Sequence, residues 1–180
     1  MKAVFLDRDG VITVDRGFVH KIEDFALLPG SANAIKSLKK AGYLIIIVTN
    51  QSGIGRGYYS EEQFSIFNKH MIDNLDQLGA KVDAVYYCPH HPDAAIEKYR
   101  KVCDCRKPEP GMILKAAKEL DINTCNSWFI GDRLSDIEAG KKAGCRTILI
   151  TNSVDEKAKP DFSAKNLADA ARYILIKKNK

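Results

Sequence analysis

Two carboxylates stand two residues apart in Phe5-Leu-Asp-Arg-Asp-Gly-Val11, where the short apolar run Ala3-Val-Phe-Leu6 ends. If the extended backbone of that run persists, Asp7 and Asp9 project to the same side. Gly10 then lets the chain turn tightly against a ligand. A second acidic pair, in Gly131-Asp132-Arg-Leu-Ser-Asp136, follows another apolar run. Carboxylates that converge repel one another unless a hard cation joins them, and an all-oxygen set suits Mg²⁺. The competing reading is that Asp132 or Asp136 caps the helix that follows. Asp7 and Asp9 precede no evident helix start, and burying both without a partner would be costly. A carboxylate so placed can attack phosphorus and form an acyl-phosphate. Its neighbour can protonate the leaving oxygen and later take the proton of the attacking water.

Such chemistry needs cations and donors for the transferred group. Thr49-Asn-Gln-Ser-Gly-Ile-Gly-Arg-Gly57 offers a hydroxyl and a run of backbone N–H groups that can hold phosphate oxygens. It lacks the Gly-Lys-Ser/Thr ending of a P-loop, and Tyr58 stands where a dinucleotide fingerprint needs its third glycine. A structural turn is the competing reading. In Arg106-Lys-Pro-Glu-Pro-Gly111, Lys107 can neutralise developing charge and Arg106 can grip a phosphate with its planar fork; a solvated basic pair is the alternative.

Cys88-Pro-His90, twelve residues, then Cys103-Asp-Cys105 place three thiols and an imidazole within 18 positions, a set that suits tetrahedral Zn²⁺. The spacings are tighter than those of zinc fingers, and His91 is an alternative ligand. Four occupied positions leave none for substrate, so this ion is expected to be structural, ordering a loop that ends against Arg106 and Lys107. Cys125 and Cys145 are expected in the core.

The elements that position these groups follow from periodicity. Apolar strand-like runs at Ala3–Leu6, Tyr43–Val48, Val82–Tyr87, Ser127–Ile130 and Arg146–Ile150 alternate with helical patterns. The helices start at Ser31 (Ala34, Ile35, Leu38 and Ala41 on one face), after Ser60 (Phe64, Phe67, Met71, Leu75, Leu78), at Gly111 (Ile113, Leu114, Ala117, Leu120), and across Leu134–Ala143 and Leu167–Ile176. Cys88–Lys107 reads as a long loop and Val11–Leu28 as a small flap. This alternation predicts an α/β fold with a doubly wound parallel sheet, and ligands bind such sheets beyond the carboxyl ends of the strands. With 180 residues, 45% hydrophobic and 28% charged, the chain fits one domain spanning 1–180, with the zinc loop at 88–105. The longest unbroken apolar run, Tyr43–Val48, is too short to cross a bilayer. The acidic Asp7 comes too early for a secretory signal, so a cytoplasmic location is expected. The net charge of +5 permits nucleic-acid binding without requiring it, and part of it sits in the tail Lys177-Lys178-Asn179-Lys180.

Taken together, Asp7-x-Asp9, Thr49, Lys107 and Gly131-Asp132-x-x-x-Asp136 resemble the motifs of the haloacid dehalogenase (HAD) phosphatase superfamily. With VTNQSGIGRG, YYCPHHP and VCDCRKP, the chain from Ala3 to about Ile150 is similar to the capless D-glycero-D-manno-heptose 1,7-bisphosphate 7-phosphatases of bacterial surface-sugar synthesis. The resemblance implies a HAD-like (Rossmannoid) fold and an Mg²⁺-dependent phosphatase acting on a sugar bisphosphate, monomeric, with no nucleic-acid or membrane partner. It implies Asp7 as nucleophile, Asp9 as general acid/base, and Thr49 and Lys107 as stabilisers of the phosphoryl group. Mg²⁺ would be held by Asp7, the backbone carbonyl of Asp9, and Asp132; Zn²⁺ by Cys88, His90, Cys103 and Cys105. Substrate contacts would come from Asp15, Arg16, Gly17 and Phe18, from Asn50, Gln51 and Ser52, and from Arg106 and Arg133. Two positions depart from the pattern: Arg133 stands where Lys is expected, and Val11 where Thr is common. The rival readings are a histidinol-phosphate phosphatase and, in a different class, a zinc-stabilised nucleic-acid-binding module.

Overall fold

The computed structural model describes residues 1–151 and 159–178; the last two residues of the basic tail lie outside the described residues. Among the described residues six strands form one parallel sheet: β1 (Ala3–Leu6), β2 (Leu44–Asn50), β3 (Ala84–Cys88), β4 (Trp128–Gly131), β5 (Arg146–Ile150) and β6 (Phe162–Ala164). Their spatial order is β3-β2-β1-β4-β5-β6, every pair parallel. The order reverses between β1 and β4, and a crevice at the carboxyl ends of these two strands is where open α/β sheets take ligands. Asp7 and Asp132 each follow one of them.

The helices are α1 (Ser31–Lys40), α2 (Ser52–Gly55), α3 (Glu61–Gln77), α4 (Gly111–Glu119), α5 (Leu134–Lys142) and α6 (Leu167–Lys178). β1 shows why both faces of the sheet are covered. Val4 and Leu6 pack with Ile35 and Leu38 of α1, Met71 and Leu75 of α3, and Ile174 of α6. Ala3 and Phe5 face the opposite way, onto Met112 and Ile113 of α4 and Ala139 of α5. Each of the larger side chains among these (valine, leucine, isoleucine, methionine, phenylalanine) contributes about 1.5–3 kcal/mol when fully buried. Central strands apolar on both sides therefore hold the edge from which the polar residues project.

The capping box before α3 forms as its sequence indicates. Gln63 N–H donates to Ser60 Oγ at 3.1 Å, and Ser60 N–H to Gln63 Oε1 at 2.8 Å. The flap is also present: Thr13 bridges Leu27 in antiparallel fashion, and Val14 N–H donates to the Ala26 carbonyl at 2.9 Å. Several expectations need correction. β2 runs on through Thr49 and Asn50, the glycine-rich stretch contains α2, β3 starts at Ala84, and β6 is an added edge strand. Leu78 and Leu114 are exposed, since the first lies past the end of α3 and the second points away from the face made by Met112, Ile113 and Ala116. Ala41 falls just past α1. Cys145 is buried, but Cys125 is exposed in a 3₁₀ turn, Thr124–Asn126, so it is not a core residue.

Candidate active site

Asp7 extends β1 by one residue, its N–H donating to the Ile130 carbonyl at 3.0 Å. Its Oδ1 accepts the Arg8 N–H at 2.8 Å and meets Lys107 Nζ at 3.0 Å. Lys107 Nζ also meets Asp136 Oδ1 at 2.7 Å and donates to the Val48 carbonyl at 2.8 Å. One proton thus goes to a carbonyl, and the buried cation is paired by charge with two carboxylates. Burial pushes the Lys107 ammonium down, but Asp136 and Asp7 together outweigh it and hold the group above its ordinary value. The lysine is placed by its own backbone. Asn50 Nδ2 donates to the Lys107 carbonyl, and the Lys107 N–H donates to Asn50 Oδ1, both at 3.1 Å.

One oxygen from each of Asp7, Asp132 and Asp136 lies within 4.8 Å of the others. Burial, reinforced by Asp7 and Asp136, pushes the Asp132 carboxyl up to about 7. Its Oδ1 is buried without a hydrogen-bond partner. Gly10, at φ +82°, passes so close that a Cβ there would overlap the Asp132 carboxylate. An acceptor-only oxygen facing two further carboxylates, with backbone pressed against it, fits a hard divalent cation. Asp136 also accepts the Arg133 N–H at 3.1 Å through Oδ2, so it caps α5 and pairs with Lys107 at once. The capping alternative is therefore half right for Asp136, while Asp132 belongs to the carboxylate group.

Asp9 stands outside this trio, so only its backbone carbonyl remains as the expected ion contact. Its carboxylate is gripped from below by Arg8, whose Nε donates to Oδ1 at 3.0 Å and Nη2 to Oδ2 at 2.8 Å. Thr13 Oγ1 reaches Oδ1 at 3.2 Å and Gln51 Nε2 reaches Oδ2 at 3.3 Å. Burial raises the Asp9 carboxyl, Arg8 opposes, and the net is upward, toward retaining a proton. Arg8 is wholly buried, its guanidinium over the rings of Phe67 and Phe64 at 4.8 and 5.8 Å. Sequence reasoning gave Arg8 no role.

Thr49 is buried at the end of β2, its Oγ1 accepting from Gln51 Nε2 at 2.8 Å, while Tyr59 donates to Gln51 Oε1 at 2.6 Å. Because the same Gln51 Nε2 also reaches the Asp9 carboxylate, that end of the amide is the donor and gives to Thr49. The single hydroxyl proton of Thr49 is then left for a group in the cavity. A Cβ at Gly53 would overlap the Tyr59 ring, which is why α2 carries glycine there.

Asp7, Asp9, Thr49 and Lys107 line one cavity of about 580 Å³. Asn50, Gln51, Ser52 and Arg106 line it too, as do Asp15, Gly17, Phe18 and Arg133 from the flap and α5 side. Arg133 is tied to Asp15 at 2.8 Å. Arg16, between Asp15 and Gly17 in the flap, is exposed and does not line the cavity. Arg56, Tyr59, His91 and Ser135 line the cavity although sequence reasoning passed over them in this role. Arg56 lay in plain view within the glycine-rich stretch, and its charge was the available signal.

The Cys/His loop closes one wall. Cys88, His90, Cys103 and Cys105 bring their ligand atoms within 4.8 Å of one another. His90 Nδ1 lies 3.2 Å from Cys105 Sγ and 3.6 Å from Cys88 Sγ. Three thiols around one imidazole nitrogen at these distances fit a tetrahedral soft-ligand ion. His91, the alternative ligand, turns away into the cavity. Burial and the neighbouring Arg106 and Arg56 lower its pKa. Arg106 is anchored to this loop, its Nη1 donating to the His90 carbonyl at 3.3 Å.

A family model described as HAD-hydrolase-like matches residues 104–170. Proteins named D-glycero-beta-D-manno-heptose-1,7-bisphosphate 7-phosphatase are similar over almost the whole chain. That of Photorhabdus laumondii is 47% identical over 178 residues, 96% of this chain and 94% of the relative. That of Haemophilus ducreyi is 42% identical, covering 96% and 98%. The crystal structure of D,D-heptose 1,7-bisphosphate phosphatase from B. bronchiseptica, complexed with magnesium and phosphate, superposes with a TM-score of 0.86 at 34% identity, covering 98% of this chain and 99% of that one.

Proposed function

The chain belongs to the family of D-glycero-beta-D-manno-heptose-1,7-bisphosphate 7-phosphatases, HAD-like hydrolases, and on that footing we propose that it removes the 7-phosphate of the heptose bisphosphate through an aspartyl-phosphate on Asp7. The observation that carries the reading is the fixed geometry around Asp7. Oδ1 is held by the Arg8 N–H at 2.8 Å and by Lys107 at 3.0 Å, which leaves Oδ2 to attack phosphorus. The P–O bond to the sugar breaks as the new P–O bond forms, and Asp9 delivers a proton to the departing sugar oxygen. Asp9 then removes a proton from the water that attacks the phosphoryl group, and inorganic phosphate leaves with Asp7 restored. Lys107, Thr49 and the cavity N–H groups offset charge on the phosphoryl oxygens throughout. Asp7, Asp132 and the Asp9 carbonyl would hold Mg²⁺, which when bound supplies charge neutralisation among these carboxylates and the phosphoryl oxygens.

Zn²⁺ on Cys88, His90, Cys103 and Cys105 has a structural role in this reading. Residues 1–180 act as one catalytic unit, monomeric and cytoplasmic, without nucleic-acid or membrane partners. No helix among the described residues is long and apolar enough to cross a membrane. The deciding assay is phosphate release from heptose 1,7-bisphosphate and histidinol phosphate side by side in added magnesium. Faster release from the bisphosphate is expected; preference for histidinol phosphate would overturn the substrate assignment. Asp7→Asn should abolish turnover and leave the fold intact, as judged by circular dichroism, because an amide is a poor nucleophile. Retained turnover would remove the covalent step.

A further inference from the structure

The wall of the cavity formed by α2 and the Cys/His loop holds more donors than acceptors. Arg56 Nη2 lies 3.1 Å from His91 Nε2, and Arg56 Nε is buried with no hydrogen-bond partner. At the other nitrogen of the same ring, His91 Nδ1 accepts the Asp93 backbone N–H at 3.1 Å. A guanidinium only donates, and a neutral imidazole has one N–H and one acceptor nitrogen. His91 therefore cannot accept from both neighbours. With Nδ1 accepting from Asp93, the ring proton sits on Nε2 and faces Arg56, donor against donor. An anionic oxygen seated between the two groups relieves this, because it accepts from both. Arg106, with one N–H on the His90 carbonyl, lines the same wall. The other cations of the cavity are already paired: Arg133 with Asp15 at 2.8 Å, and Lys107 with Asp7 and Asp136 at 3.0 and 2.7 Å.

We propose that Arg56 and the Nε2–H of His91, beside Arg106, seat the phosphate that stays on the sugar, so that this pair sets the preference for bisphosphates over monophosphates. The inference rests on the phosphatase reading above and adds to it two residues that take no part in the chemical step. A dianionic phosphate ester has the oxygens to take Arg56 Nε–H, Arg56 Nη2–H and His91 Nε2–H together, whereas a bare hydroxyl has too few lone pairs and no charge.

The test is the ratio of kcat/KM for heptose 1,7-bisphosphate to that for heptose 7-phosphate, with zinc content and thermal midpoint measured on every variant. Arg56→Met should lower the ratio by about 10- to 100-fold, chiefly through KM for the bisphosphate, as loss of charge-assisted hydrogen bonds does. Arg56→Lys, which keeps the charge but loses the fork, and His91→Phe, which keeps a ring but loses the N–H, should each lower it less. If Arg56→Met does not fold, these two decide the matter by the same ratio. A wild-type ratio near one would overturn the bisphosphate reading itself. A high wild-type ratio that stays within about twofold in the folded variants would overturn only the assignment to Arg56 and His91.

Discussion

The Arg8–Asp9 pair shows how much of this site is invisible to motif reading. An arginine between two aspartates at a strand end reads as solvated, yet Arg8 is wholly buried, with both Asp9 oxygens on its fork and Nη2 also on the Val19 carbonyl at 2.8 Å. Its cover comes from Phe64 and Phe67, more than fifty residues away, so no local pattern reveals it. Removing one partner of such a pair is costly because the other is stranded. Arg8→Met should therefore lower stability in urea unfolding by about 3 kcal/mol. It should also slow release from a sugar phosphate far more than from an aryl phosphate with a good leaving group, because only the former needs a proton from Asp9. Equal slowing of both substrates would mean that Arg8 does not govern the proton delivered to the leaving group. Asp7, Asp9, Thr49 and Lys107 were legible because each stands at or just past the end of a strand, or shortly before a helix, with the chemistry in its own side chain. For Arg56 the sequence offered only a charge and for His91 only its ring, since the donor conflict that marks the pair exists only in three dimensions.

At the level of elements, the strands and long helices were legible because Ala3–Leu6 and Phe64–Leu75 repeat their burial pattern over enough residues to be read. α2 and β6, with four and three residues, are too short to repeat their period and escaped. The Cys/His loop carried its information in ligand type instead. It has little apolar material, and its cysteines lie directly before Arg106 and Lys107. Cys103→Ser should reduce the bound zinc and lower the thermal midpoint. Turnover should fall as well, because the loop's end is also the site's cationic wall. Lys107 keeps its two hydrogen bonds to Asn50, however, so some activity should survive loss of the ion. Unchanged metal stoichiometry in Cys103→Ser would contradict the ligand set. Complete inactivation with an unaltered thermal midpoint would contradict the structural role.

Across the whole molecule, the buried protonated groups fix a direction for alkaline stability. Burial, with a contribution from Cys125, pushes the Cys145 thiol up to about 12. Burial likewise pushes the Tyr59 phenol up to about 12 against the opposing pull of Arg8. Tyr86 is also pushed up to about 12, by burial and by Glu119 beside it, but it is partly exposed and its share is correspondingly screened. All three are acids whose folded pKa lies above the unfolded one. At neutral pH both states are protonated and the groups are silent. As pH climbs toward about 12, the unfolded chain ionises first and binds fewer protons than the folded one. The free energy of unfolding then falls, by up to about 1.4 kcal/mol per pH unit for each group. Urea unfolding at about pH 8 and about pH 11 should show this loss, and Cys145→Ala should show a smaller one, since the alanine has no proton to lose. An equal loss in wild type and variant would place the alkaline sensitivity elsewhere. Tyr59 gives the same titration a functional edge: a phenol that ionises can no longer donate to Gln51, and the amide that orders Thr49 and Asp9 loses its anchor. Tyr59→Phe, which removes that donor at every pH, should lower turnover at neutral pH as well and, like Cys145→Ala, lessen the alkaline loss of stability in urea unfolding; turnover equal to wild type at neutral pH would mean that the phenol does not order this amide.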